Sequence, residues 1–115
     1  MNRYGTMSRD LLGKARQALA EGDLIQASEK GWGAAAQAVK AVAEHRGWPL
    51  SSHGALFTVV NRLVAETGDR RIGELFSAGN ALHQNFHEHW MPPESVKGNL
   101  DSIDELVARL EPLAQ

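Results

Sequence analysis

Residues 22–47 read GDLIQASEKGWGAAAQAVKAVAEHRG, and this stretch decides the fold. Asp23 is an N-cap residue placed directly before an apolar run. Trp32, Ala35, Ala36, Val39, Val42 and Ala43 recur at the three- and four-residue spacing of one helix face. Gly47 stands where a helix ends in a left-handed residue, and Pro49 prevents a restart. The middle of the run is built of small residues, Gly31, Gly33 and Ala34 to Ala36, which let another backbone come close. A long helix with a narrow waist is therefore predicted, and the rest of the chain must supply its neighbours.

Working outward, the same punctuation repeats. Upstream, Ser8 is the expected cap of a first helix through RDLLGKARQALAE, with Leu11, Leu12, Ala15, Ala18 and Leu19 on one face and Gly22 as its stop. Downstream, Ser51 or Ser52 caps a third helix whose buried stripe is Leu56, Val59, Val60, Leu63 and Val64. Gly68 closes it and Asp69 opens a fourth, with Ile72, Leu75, Phe76, Gly79, Leu82, Phe86 and Trp90 on the apolar face. Pro92 and Pro93 break the chain, and a last helix runs from about Glu94 through Leu110. No segment alternates with period two. The fold class expected is all-α: an up-and-down bundle of about five helices, one domain over residues 1–115 with its core in about 8–112.

Composition narrows the chemistry. The 115 residues include no cysteine, which excludes disulfides, thiolate catalysis and thiolate-based zinc fingers. The formal charge of −2 supplies no global basic field for nucleic acid, and Lys and Arg are scattered. The N-terminal residues carry no apolar stretch of the signal-peptide kind, and no run reaches the length of a membrane span. A cytoplasmic domain with no membrane partner is the expectation; nucleic acid as a partner is left open.

The densest polar cluster is AGNALHQNFHEHW, residues 78–90, which holds three of the five histidines. A helix turns about 100° per residue, so His83 and His87 lie within roughly 40° of each other, while Asn85 falls about 200° from His83. The two imidazoles are thus expected to share a site, and Asn85 to make a hydrogen bond to another helix. Two histidines at this spacing can share a metal ion, with Glu88, His89 or His53 as a third ligand. Two ligands on one helix, without an HExxH motif, make a weak metal signal, so no metal and no cofactor is assigned. The commoner reading of such histidines is capping, hydrogen bonding or interface packing. Asn80 and Asn85 are poor helix formers, which suggests that something rewards their amides. His53 follows two serines at a helix start and either extends the cap or points into the same cleft. The candidate binding residues are therefore His53, Asn80, His83, Asn85 and His87, with His83 and His87 the candidates for any catalytic role. Arg70 and Arg71 at a helix start oppose the macrodipole and call for a partner, an acidic surface or a phosphate. Trp48 on the connector is placed to cover the bundle end.

The order of GDLIQASEKGWGAAAQAVKAVAEHRG, SSHGALFTVVNRL and LHQNFHEHWMPPESV resembles the HEPN superfamily and, within it, the small PaREP family of archaeal and bacterial proteins. The likeness covers roughly residues 10–110. It implies a helical bundle that usually dimerises. Some HEPN relatives are metal-independent ribonucleases of toxin systems; others accompany nucleotidyltransferases or bind nucleotides, and the PaREP group brings no reaction with it. The ribonuclease branch carries an Arg, four to six residues, then a His. No arginine lies between Ile72 and Trp90, and the Arg46–His53 pair that has the spacing straddles the Pro49 connector. The resemblance therefore implies a dimeric binding or accessory module, with a nucleotide or a partner protein of a toxin or nucleotidyltransferase system as candidate partners. A ribonuclease or other hydrolase using His83 or His87, and a purely structural helical oligomer, are the alternatives.

Overall fold

The computed structural model describes residues 2–115, the side chain of His53 excepted. Five helices follow one another: α1 (Arg3–Ala20), α2 (Leu24–Arg46), α3 (His53–Thr67), α4 (Arg70–Glu88) and α5 (Pro93–Leu110), the last extended by a 3-10 turn, Glu111–Ala114. There is no strand among the described residues. No helix is long and apolar enough to cross a membrane.

The boundaries follow from named caps. Asp23 accepts from the Gln26 amide at 3.0 Å, Ser52 from Ala55 at 3.2 Å and Asp69 from Arg71 at 3.1 Å, so α2, α3 and α4 each begin with a satisfied donor. At Gly47, φ is +72°, and the Trp48 amide reaches back to the Ala43 carbonyl at 2.9 Å. This is a Schellman closure, which a β-carbon would strain. One start differs from the sequence reading. The first helix begins five residues earlier than Ser8, capped by Asn2, whose side chain accepts from the Gly5 amide at 3.1 Å. Ser8 is instead buried inside α1, where its hydroxyl donates to the Ala34 carbonyl of α2 at 2.7 Å. A serine looks like a cap in sequence, but here a neighbouring helix satisfies it.

Helix α2 is the axle of the bundle and packs against the other four. Its small residues are spent within the chain. A β-carbon on Gly31 would stand 2.6 Å from Leu100 and 2.8 Å from Leu82, and one on Gly33 would stand 3.1 Å from Leu11. Ala34, Ala35, Val39, Val42 and Ala43 are fully buried. The narrow waist thus lets α1, α4 and α5 close on α2, and it leaves no seam there for a second copy of the chain.

Ion pairs clip α5 to the bundle. Arg9 reaches Glu111 at 2.6 Å, and Arg16 reaches Asp101 at 2.7 Å. Arg71 donates two bonds of 3.1 Å to Glu105, while Arg109 bridges Glu105 at 2.9 Å and Asp69 at 2.8 Å. The Arg71 guanidinium holds Glu105 below the ordinary carboxylate range, Arg16 does the same for Asp101, and Arg9 for Glu111. The acidic surface expected for the α4 arginines is therefore α5, reached by Arg71. A carboxylate whose folded pKa is lowered contributes stability above its unfolded pKa and loses it as pH falls through the folded value. The melting temperature is thus expected to fall as pH drops below about 4. Molar salt should lower the neutral-pH plateau, because these pairs are exposed and screened. A melting curve unchanged by acid and by salt would remove the network from the stability account.

Candidate functional site

Helix α4 carries the polar cluster, and its packing against α2 sorts the residues. The face holding Ile72, Leu75, Phe76, Gly79 and Leu82 is buried. His83 is half-buried at its edge, and His87 is exposed one turn on. Their ring centroids lie 5.0 Å apart with the planes at 88°, an edge-to-face pair. The His83 ring also lies 4.9 Å from the indole of Trp32 on α2. Trp32 in turn stands 5.6 Å from Phe76, and Phe76 stands 5.1 Å from Phe57 of α3. On the outer side His87 meets Phe86 at 5.1 Å. Six rings therefore run without a break from Phe57 to Phe86, with the two imidazoles between the core rings and Phe86.

This run depends on Gly79. A β-carbon there would stand 3.0 Å from Ala35 and 3.5 Å from the Trp32 ring. The glycine thus sets the approach of α4 to α2 that puts His83 against Trp32. The apolar spacing puts Trp32 on the packed face of α2; it is half-buried, because its outer side continues into the imidazole pair.

Asn85 lies apart from the histidines, as the helical angle requires. It is 1% exposed, and both its amide nitrogen and its amide oxygen are hydrogen-bonded. Its Nδ2 donates to Ser28 Oγ of α2 at 2.8 Å, and Ser28 passes a bond of 2.8 Å to the Leu24 carbonyl. Its Oδ1 accepts from the Trp90 amide at 2.9 Å and the Met91 amide at 2.7 Å. These last two bonds end the helix. His89 adopts φ +55°, the positive-φ conformation that costs a non-glycine residue about 1–2 kcal/mol, and closes onto Asn85 through a 2.8 Å backbone bond. The apolar face does not therefore continue to Trp90 as the spacing predicts. Trp90 leaves the helix and is 55% exposed, while Met91 turns inward.

Asn80 is half-buried. The backbone of His53 opens α3, and its side chain, expected either to extend the cap or to point into the cleft, lies outside the described residues. Among the described residues no group of three or more His, Asp or Glu is arranged to hold a metal ion. What the site offers is a half-buried imidazole backed by an indole, a second exposed imidazole, and an exposed tryptophan just beyond the helix end. That combination suits contact with an aromatic or polar surface. Arg71 lies twelve residues before His83, about 18 Å along the helix, and is bound to Glu105.

The sequence model of the archaeal PaREP1/PaREP8 family matches residues 3–107. Among functionally curated proteins nothing matches. A crystal structure of a protein from Sulfolobus solfataricus superimposes with a TM-score of 0.85 over 95% of this chain and 97% of that one, at 23% identity. That similarity carries the bundle and no activity.

Proposed function

Because the chain belongs to the archaeal PaREP1/PaREP8 family, a group that fixes the fold and leaves the work open, we propose that it is a HEPN-like helical binding or accessory module. In this reading it acts in the cytoplasm as a homodimer and engages a nucleotide or a partner protein of a toxin or nucleotidyltransferase system. The supporting observation is the run of rings that surfaces at His83 and His87. A half-buried imidazole held against an indole has a defined position, which a contact surface needs and a solvated histidine lacks. Trp90, exposed just past His87 and His89, adds a large apolar group to the same end of α4. Aromatic residues exposed beside polar groups are the composition of interface centres. The homodimer of this reading uses that end of the molecule, because the small-residue waist of α2 is filled from within. Asn85 supports the site by fixing the helix end and does not contact the partner.

The enzyme reading is weaker here. A ribonuclease of the HEPN kind pairs its histidine with an arginine, and α4 carries none after Arg71. The experiment is sedimentation velocity at tens of micromolar, for the wild type and for Trp90→Arg with His87→Ala. The wild type is expected to sediment as a dimer and the double variant as a folded monomer. A monomeric wild type would overturn the dimer. Chelator-resistant cleavage of single-stranded RNA by the pure protein, lost in His87→Ala, would restore the enzyme.

A further inference from the structure

At the other end of α2, the connector to α3 shapes a pocket that the imidazole face does not use. It has a volume of about 140 Å³ and is lined by Trp48, Pro49, Ala55, Thr58, Val59 and Arg62. Its walls are apolar except at two points. The Thr58 hydroxyl already donates to the Gly54 carbonyl at 3.3 Å. The Arg62 guanidinium is held over the Trp48 ring, 4.1 Å from its centroid. Arg46 also approaches that ring, at 5.2 Å, but is paired with Glu66. Arg62 has no carboxylate partner among the described residues, in a protein whose other structured arginines mostly do.

We infer that this pocket binds a single-ring aromatic monocarboxylate, with the ring against Trp48 and Val59 and the carboxylate on Arg62. The size argument is one of scale: an enclosed apolar cavity of roughly 150 Å³ holds one benzene ring, and this open pocket has about that volume. A charge argument gives the anion. Arg46 and Glu66 cancel, which among the described residues leaves the Arg62 charge at the rim, and one carboxylate balances it. A guanidinium packed on an indole keeps its N–H edges free, and those edges match a carboxylate in a two-point bond. A phosphate dianion would want more donors than one guanidinium offers, so a nucleotide fits this pocket less well.

The probe is benzoate, titrated into the nitrogen-15-labelled full chain with the Trp48 indole N–H and the Ala55 and Thr58 amides as readouts. Saturable shifts are expected with a Kd of about 1 mM, the range open to a ligand of this size. Benzamide, which keeps the ring and loses the charge, should bind at least about tenfold more weakly, and so should acetate, which keeps the charge and loses the ring. Arg62→Gln changes an exposed side chain and should cost about tenfold in benzoate affinity with the spectrum otherwise intact. Ala55→Phe, at a half-buried lining position, should fill the pocket and abolish the shifts. The proposal is overturned by any of four results: no shift at tens of millimolar benzoate, acetate or benzamide equal to benzoate, full affinity in Arg62→Gln, or adenosine monophosphate binding these residues more tightly than benzoate.

Discussion

Asn85→Leu is expected to destabilise the protein by about 4 kcal/mol, although leucine is close to asparagine in size and suits a helix better. The reason lies in what the amide does. Its oxygen is the acceptor for the Trp90 and Met91 amides, and the Met91 bond is buried. Removing one partner of a buried hydrogen bond leaves the other unsatisfied at about 1–3 kcal/mol each. Its nitrogen also gives Ser28 its link to α4, so α2 loses a tether at the same time. Ser28→Ala removes only that link and should cost about 1–2 kcal/mol. Asn80→Ala, four residues back and half-buried, should stay within about 1 kcal/mol of wild type. Urea denaturation of the three variants checks the order. An Asn85→Leu protein as stable as Asn80→Ala would mean that the end of α4 is set by the two prolines and not by the amide.

The same residue marks where sequence stopped being legible. Helix stops at Gly22, Gly47 and Gly68 and caps at Asp23, Ser52 and Asp69 were readable because each acts within its own four or five residues. The buried stripes were readable because apolar spacing reports a face without naming what it meets. Ser8 and Trp90 misled because a contact far along the chain lies behind each, directly for Ser8 and one step removed for Trp90. Ser8 is satisfied by Ala34, and Trp90 is drawn off the helix line by Asn85, which is itself fixed to Ser28. Sequence placed His83 and His87 on one face because that is helical arithmetic. It did not place Trp32 behind His83, because that contact needs the depth to which Gly79 lets α4 sink onto α2. The pairing of Trp48 with Arg62 was hidden likewise, since it rests on how the Pro49 connector folds back over α3.

Gly31→Val is expected to be the more damaging change to the core, with a loss above about 3 kcal/mol, and Gly31→Ala a much smaller one. Gly31 lies where α2 is clamped between α4 and α5. A β-carbon there meets a Leu100 methyl at 2.6 Å and a Leu82 methyl at 2.8 Å, both closer than such contacts occur. Leucine ends can often swing away, but both of these side chains are fully buried, so each must displace a further neighbour. Alanine recovers about 1 kcal/mol of helix propensity against an overpacking cost of about 1–3 kcal/mol, which leaves a net loss of at most about 2. Valine adds two further methyls to the same gap and gains less propensity, so α4 and α5 must both retreat. The control is Gly13→Ala on α1, where nothing lies within 4 Å of the new carbon. There the propensity gain stands alone, and a stabilisation of about 0.5–1 kcal/mol is expected. Two glycine-to-alanine changes in two helices of one protein should therefore move the urea midpoint in opposite directions. If Gly31→Val melts with the wild type, α2 is not the clamped axle described above. The approach of α4 to α2 that seats His83 against Trp32 would then need another cause.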